Sequence, residues 1–222
     1  TGGIVQHDRY DIHITLEANT HALVTTVAAT KVYRMPHGKA IQHITIDVGE
    51  NAILEFVPDA LILFADADFE QHVTINLQSG ALCLFQDSVM GGRVAHHDEF
   101  LQFRHLHNRL DIRDADGLIA YDAMQFSPSE QDRNRLGLLD GHTCWGSAYI
   151  VGDVAPFNSS AFCEAVNEAL NDDVLASISE LHRAGFAFRV LANRLEYMEQ
   201  AFEQLRCHFR QALDIPFVGL RK

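Results

Sequence analysis

The chain has 222 residues, of which 47% are hydrophobic and 21% are charged. This composition is typical of a folded globular protein and excludes a disordered, collagen-like or coiled-coil chain. Seventeen Lys and Arg residues against 30 Asp and Glu residues give a net charge of −13, which repels nucleic-acid phosphates and anionic lipids. The longest unbroken apolar run has six residues, far below the roughly 20 of a membrane-spanning helix. We therefore expect one domain over residues 1–222 that binds no nucleic acid and no membrane.

Catalytic and redox signatures are missing from the sequence. It contains no GxSxG nucleophile elbow and no glycine-rich phosphate-binding loop, and none of its four cysteines forms a CxxC pair. This cysteine usage favours a reducing compartment, so we expect a cytoplasmic protein without a disulfide framework. Thr1 is not an initiator Met and no leader precedes it, from which we expect a longer native chain.

A repeat dominates the first third of the chain. The segment that begins at Ile14 recurs at Ile44 and again at Val73, at offsets of 30 and then 29 residues. Each copy has an alternating β-branched stretch, a polar turn and a second apolar stretch, a pattern typical of a hairpin. A single hairpin cannot bury its apolar face, so the copies are predicted to stack. The predicted fold is mainly β: stacked β-hairpins in an elongated, solenoid-like layered structure.

A polar cluster follows the third copy of the repeat. Its residues run from Gly91 to Phe100 and include His96, His97 and Asp98 behind a Gly-Gly pair. Adjacent strand residues point to opposite faces, so the two histidines serve one site only if the segment turns. Exposed, transient metal handling and simple solvation of a loop are the two interpretations of this cluster.

Further strands are predicted at 102–112 and 118–125, joined by a turn that ends in Asp116-Gly117. His105, His107 and Asp111 share one face of the first of these strands, because side chains alternate along it. A His-x-His pair followed by a carboxylate is similar to the metal site of a cupin-type barrel. A cupin-like metal-dependent enzyme is therefore the alternative function, and a solvated strand face is the plain structural alternative.

The last third of the chain changes character towards helix. A first helix is predicted at about 160–170 from the apolar residues Phe162, Val166 and Leu170. A second is predicted at about 194–213, where apolar residues recur at steps of three and four and Pro216 follows. The fold class thus includes two α-helices near the C-terminus.

Several stretches in the same order resemble the urease accessory protein UreD (UreH) family. They include Thr1–Arg9, Thr25–Arg34 with its TTxxATKVYR pattern, Leu54–Asp59, Gly92–Phe100 and Arg189–Ala192. The resemblance covers essentially the whole chain, and the TTxxATKVYR stretch is its most specific part. The chain departs from the family at Gln6 and His7, and at His97 and Asp98, where the family usually has glycines and a glutamate. The first strands of the family, upstream of Gly2-Gly3, are absent.

The resemblance implies a maturation chaperone and not an enzyme. UreD-like proteins bind apo-urease, dock a UreF-type partner that carries the GTPase UreG, and assist delivery of nickel and carbon dioxide to the urease active site. Their fold is described as a mostly β stack with two helices. The resemblance thus implies transient nickel and no tightly bound cofactor. Nickel(II) accepts imidazole and carboxylate ligands, which this His-rich, acidic chain supplies.

Two mechanisms stay open at this stage: a conduit that passes nickel along internal polar side chains, or a scaffold that only holds the partners. For a conduit, the candidate metal residues are Asp59, His96, His97, Asp98, His105 and His107. The candidate partner-binding residues are Thr25, Thr26, Lys31, Tyr33 and Arg93, where Lys31 and Arg93 repel a cation. For Lys31 and Arg93, the alternative is that each forms a purely structural pair with another residue of the chain.

Overall fold

A computed structural model of the chain describes residues 2–96, 99–128, 138–169, 173–183 and 185–220. The strands in chain order are β1 (Gly3–Ile4), β2 (Arg9–Leu16), β3 (His21–Val24), β4 (Thr30–Val32), β5 (Ala40–Val48), β6 (Ile53–Phe56), β7 (Leu61–Leu63), β8 (Asp68–Leu77), β9 (Leu82–Met90), β10 (His105–Asp114), β11 (Gly117–Phe126), β12 (Cys144–Gly152), β13 (Val174–Glu180) and β14 (Gly185–Ala192). The helices are α1 (Ser159–Ala169) and α2 (Leu195–Ala212). The mainly β class with two helices is confirmed.

The strands of the described segments form two sheets. The larger sheet runs in the order β1-β4-β7-β9-β12-β14-β13, with β3 and β6 joined to it at β9. The smaller sheet has the order β11-β10-β8-β5-β2. From β2 to β10 its strands are all parallel, and β11 returns antiparallel to β10.

Each repeat spans both sheets, so the prediction that it forms a hairpin is wrong. The first arm of each copy, in β2, β5 or β8, lies in the smaller sheet, and the second arm, in β3, β6 or β9, lies in the larger sheet. Each arm therefore pairs with the corresponding arm of the next copy and not with the other arm of its own copy. The stacking of the copies is confirmed, whereas the elongated, solenoid-like shape stays a prediction.

The corner of each repeat explains why the chain leaves one sheet for the other. Asn19, Asn51 and Gly80 occupy it with φ values of 59°, 53° and 69°. This left-handed backbone suits Asn and Gly, and it bends the chain away from its own sheet. The corners also bond to one another: Asn19 N donates to Glu50 O at 2.8 Å, and Asn51 N donates to Ser79 O at 3.0 Å.

Strand register differs from the sequence offsets in one copy. Ile44 pairs with Val73, as the offset of 29 predicts. Ile12, and not Ile14, pairs with Ile44, so the first two copies are offset by 32 residues instead of 30. The difference of two residues keeps every side chain on its predicted face, because the side-chain period of a strand is two.

Three layers of structure enclose the apolar core. One cluster packs α1 and α2 against one face of the larger sheet, with Phe162, Phe188 and Phe209 fully or almost fully buried. Two further clusters contain residues from both sheets and pack them against each other. The helices lie within one residue of their predicted ends. In the part of the chain that the structure describes, no helix has the length and apolar character to cross a membrane.

Candidate functional site

The loop after β3 is fixed to the loop after β6 by two threonines. Thr26 Oγ1 donates to Asp59 Oδ2 at 3.0 Å and accepts a hydrogen bond from Asp59 N at 2.8 Å. Thr25 Oγ1 donates to Val57 O at 2.8 Å. Asp59, a candidate metal residue, is only 7% exposed and is bonded directly to Thr26, a candidate partner-binding residue. Val27, next to Thr26 on the loop after β3, is 97% exposed.

Asp59 and both threonines line a cavity of about 200 Å³ between the two sheets. Apolar side chains of β2, β5 and β6 form part of its wall, and polar side chains form another part. The polar lining comprises Thr25, Thr26, Thr30, Gln42, Asp59, Gln71, Gln86 and Asp87. This arrangement offers a small ligand several polar oxygen atoms inside an otherwise apolar space.

A second cavity, of about 430 Å³, lies on the other side of Asp87. Phe85 and Asp87 line both cavities, so the two spaces meet at this point of β9. The polar residues of the larger cavity are Asp87, Asn108, Asp122, Ser147, Ser177 and Arg189. Between the sheets, the cavities therefore form adjoining spaces with a carboxylate at their junction.

Asp87 is held by two side-chain amides. Asn108 Nδ2 donates to Asp87 Oδ2, and Gln71 Nε2 donates to Asn108 Oδ1 at 3.2 Å. Burial raises the pKa of the Asp87 carboxyl, and the nearby negative charge of Asp122 raises it further against these hydrogen bonds. Asp87 thus places a carboxyl group at the junction of the two cavities, in surroundings that disfavour its negative charge.

Asp122 is engaged at the wall of the larger cavity. Its Oδ2 accepts a hydrogen bond from Tyr149 Oη at 2.9 Å and lies 3.1 Å from an Arg189 nitrogen. Arg189 also donates to Tyr149 Oη at 2.5 Å. Burial raises the pKa of Tyr149 to about 12, which keeps the phenol protonated as a donor at neutral pH. This network leaves the cavity with a fixed arrangement of charge.

A second cluster joins Tyr33 and Arg93, both predicted to bind partners. Arg93 forms an ion pair with Glu99, with Nε at 3.1 Å from each carboxylate oxygen, and its guanidinium lies 4.2 Å from the centre of the Phe64 ring. Tyr33 packs edge-to-face with the same Phe64 ring, at 5.0 Å between ring centres. Burial acts to raise the pKa of Glu99, but the Arg93 guanidinium and the Ala65 N–H lower it below its usual value. The ion pair with Glu99 is therefore a structural pairing of the kind that was the alternative role of Arg93.

The remaining predicted residues are dispersed. Lys31 is exposed on β4, in register with Gly3 of β1. His96 is exposed in a turn where its N–H donates to Arg93 O at 2.7 Å. His97 and Asp98 lie outside the described residues. His105 Nδ1 is 2.9 Å from Ser127 Oγ, and His107 is half-buried on the same strand.

The cupin-like site does not assemble. His105 and Asp111 are six positions apart, about 20 Å along a strand, which is far beyond the span of one metal ion. Asp111 is instead bound by Arg109, at 2.7 Å, by His72, at 2.9 Å, and by Arg113, at 3.1 Å. These partners, above all Arg109, lower the pKa of Asp111 to about 2. No group of three or more metal-binding side chains converges within the described segments.

Sequence reasoning missed the polar residues at the junction of the cavities. Asp87 follows Leu82–Gln86 in a strand whose residues are almost all buried on both faces. An acidic residue inside such a strand was the available signal, because charged side chains are rarely buried without a partner or a ligand.

Comparison with known proteins supports the resemblance. A family model described as "UreD urease accessory protein" matches residues 1–218. Proteins named "Urease accessory protein UreD" from Staphylococcus aureus strains bovine RF122 / ET3-1, JH9 and Newman are each 30% identical over 213 residues, which is 95% of this chain and 76% of theirs. These names describe an accessory protein, so the prediction of a non-enzyme is confirmed and the cupin-like enzyme is wrong. The chain belongs to the UreD family of urease accessory proteins.

Proposed function

We propose that this chain is a cytoplasmic maturation chaperone that assists delivery of nickel to apo-urease. In this proposal it binds apo-urease and a UreF-type partner, through which a UreG-type GTPase joins the complex. Nickel is the cargo, held transiently, and no cofactor is tightly bound. The observation that carries the proposal, beside the family, is the pair of cavities that meet at Asp87.

The chemistry of the cavities suits a weakly held cation. Carboxylate, hydroxyl and amide oxygens line both spaces, and nickel(II) accepts such ligands with less affinity than it has for a set of imidazoles. The described residues bring no three strong ligands together, which favours release over retention. Asp59 and Asp87 are the carboxylates that we assign to the path through the smaller cavity. His96, His97 and Asp98 remain candidate metal residues of the path.

Partner contacts are assigned to the surface around the two clusters. Four of the candidates contact other residues of this chain through their side chains, so their part in an interface is to hold its shape. They are Thr25, Thr26, Tyr33 and Arg93. Lys31 is exposed and offers a cation to an acidic partner surface. The exposed Val27 stands on the loop that Thr26 fixes, and it offers an apolar contact whose position is set before binding.

Co-expression tests the proposal. The tagged chain is expressed with apo-urease, a UreF-type and a UreG-type protein, and the isolated complex is assayed for composition, nickel content and urease activity. We expect the partners to co-purify and activation to depend on this chain. Absence of every partner together with unchanged activation would exclude the proposed function.

Variants in the same assay separate a conduit from a scaffold. Ser147→Trp places a large side chain in the larger cavity, and Ser179→Trp, on exposed β13, is the matched control. A conduit predicts an intact complex with less nickel for Ser147→Trp, and unchanged nickel for Ser179→Trp. Replacement of His96, His97 and Asp98 by Ala is likewise expected to lower nickel loading while assembly is kept. Full nickel loading of an intact Ser147→Trp complex would leave only the scaffold.

A further inference from the structure

Two histidines face each other on the outer surface of the five-stranded sheet. His43 on β5 and His72 on β8 are direct register partners, with ring centres 6.1 Å apart and ring planes at 87°. Their side chains are 43% and 38% exposed, so both rings are open to solvent. The sheet lies between this surface and the cavities, because side chains of successive residues alternate between its faces.

Each of these imidazoles has a carboxylate on one ring nitrogen. His43 Nδ1 lies 3.2 Å from Asp11 Oδ1, and His72 Nε2 lies 2.9 Å from Asp111 Oδ2. An ionised carboxylate only accepts hydrogen bonds, so these two nitrogens carry the hydrogen. In the neutral rings, the lone pairs are then on His43 Nε2 and His72 Nδ1. A carboxylate behind the imidazole is the usual arrangement of a metal-binding histidine.

The two carboxylates are themselves fixed by arginines. Arg9 Nε donates to Asp11 Oδ2 at 2.9 Å, and Arg109 Nε donates to Asp111 Oδ2 at 2.7 Å. The Arg109 guanidinium lies 5.4 Å from the centre of the Tyr121 ring on β11, the strand on the opposite side of β10 from His72. Arg109 is the register partner of His72, and Arg9 Nη2 lies 3.5 Å from His43 Nδ1, so each guanidinium stays beside the pair with its charge compensated by a carboxylate.

We propose that His43 and His72 form a two-imidazole binding site for a divalent first-row transition metal such as nickel(II), copper(II) or zinc(II). Metal–nitrogen bonds of about 2.0–2.1 Å place two ligating nitrogens at most about 4 Å apart, which rings on adjacent strands reach by small side-chain rotations. Water completes the coordination, because no third metal-binding side chain converges on the pair among the described residues. The site is therefore weak and exchangeable. It does not depend on the proposed function.

His13 provides a matched control on the same surface. Its Nε2 lies 2.7 Å from Asp47 Oδ2, so it has the same kind of carboxylate partner. It is more exposed than either member of the pair, at 65%, and its register partner on β5 is Thr45 and not a histidine. It therefore tests whether any exposed, carboxylate-paired histidine of this chain binds metal, or only two that face each other.

The experiment is a titration of the purified chain with nickel chloride, followed by calorimetry and by paramagnetic broadening of the histidine ring signals. The signals of His43 and His72 are expected to broaden first and together. Loss of an outer-shell partner alone costs about 10- to 100-fold in metal affinity, so His43→Asn and His72→Asn should each weaken the tightest site by about tenfold or more. The double variant should weaken it no further than the single variants, and His13→Asn should leave it unchanged.

Three results would overturn the inference: unchanged affinity in either single variant, an equal loss in His13→Asn, or first broadening at other histidines. Circular dichroism of each variant checks the fold, and the broadening of the wild-type chain needs no substitution. Urease activation is a separate readout. Activation without nickel at the pair refutes this inference alone, whereas nickel at the pair without any partner or activation refutes the proposed function alone.

Discussion

The buried ion pair between Glu55 and Arg210 offers a sharp test of how the layers are held together. Glu55 on β6 is fully buried, and Arg210 on α2 is 5% exposed. Two hydrogen bonds join them, from Nε to Oε2 at 3.0 Å and from Nη2 to Oε1 at 2.6 Å. Arg210 Nη1 also donates to Pro216 O at 2.6 Å, which ties the segment after the helix to the same residue. Arg210→Met removes the cation and leaves the carboxylate with His21 as its remaining side-chain partner, at 2.9 Å.

The expected cost follows from the burial of both groups. Removal of one partner from a buried pair costs about 3–5 kcal/mol, because the other charge stays in the core uncompensated. At about 2–4 °C for each kcal/mol in a chain of this size, Arg210→Met should lower the melting temperature by about 6–20 °C. Glu55→Leu should cost a similar amount, since it leaves Arg210 unpaired. The double variant removes both charges and should be more stable than the sum of the single variants predicts.

Urea unfolding of the four proteins at neutral pH, followed by circular dichroism, measures these free energies. The control is Arg34→Met, which breaks an ion pair with Asp66 of similar length, 2.9 Å, whose side chains are 72% and 51% exposed. An exposed pair contributes about 0–1 kcal/mol, so this variant should remain close to the parent. The reasoning is refuted if Arg210→Met costs no more than Arg34→Met, or if the effects of Glu55→Leu and Arg210→Met simply add.

Two further predictions concern charge and backbone. The pKa of Asp111 is about 2 in the folded protein, against an ordinary value of 3.8, and its side chain is only 3% exposed. This difference corresponds to about 2 kcal/mol of the free energy of unfolding. The contribution is present above about pH 4 and is lost as the pH falls towards 2. Urea unfolding between pH 2 and 6 should show this loss in the parent and not in Asp111→Asn; equal slopes would contradict it. Gly92 has a φ of 142°, and a Cβ there would lie 1.9 Å from Glu99 O, so Gly92→Ala should lower the melting temperature and the soluble yield. Gly219→Ala, whose Cβ meets nothing within 4 Å, is the control, and equal melting temperatures would be evidence against the close approach.

The elements that local pattern determines could be predicted. Helix α2 was expected at 194–213 and occupies Leu195–Ala212, because its apolar residues recur with the period of a helix over five turns. The strands β10 and β11 were expected on either side of Asp116-Gly117, and Gly117 adopts a φ of 116° that an ordinary residue rarely accepts. These features depend on residues close together in the sequence, so the sequence contains enough information to place them.

Strand partners depend on distant residues, and there the prediction failed. The stretches around Ile14 and Leu23 alternate in the same way whether they pair with each other or with the next repeat. The corner residues Asn19 and Asn51 suit a hairpin turn as well as the bend that sends the chain into a second sheet. Only the arrangement of all three copies decides between these outcomes, because two sheets bury apolar side chains from both arms of the second and third copies and a row of separate hairpins does not.

The candidate site was predicted where a resemblance marked it and missed where only packing makes it. Asp59, Thr25 and Thr26 were named from family segments, and the structure brings them together. Asp87 was not named, because an acidic residue in a strand is ordinarily assigned to a solvent-facing position. Its environment becomes unusual only when a second sheet covers that face. The pair of His43 and His72 was missed for a related reason, since their contact depends on the strand register and not on sequence spacing.

The layered fold separates the part of the molecule that supplies stability from the part that contains the cavities. One face of the nine-stranded sheet packs against helices through closely spaced aromatic rings, such as Phe186 of β14 and Phe162 of α1 at 5.0 Å between centres. The other face borders the two cavities, where polar groups replace apolar contacts at a cost in packing. A helix layer that already buries Phe186 and Phe209 allows the space between the sheets to remain partly empty. Substitutions under the helices should therefore change stability first, and substitutions between the sheets should change what passes or binds there.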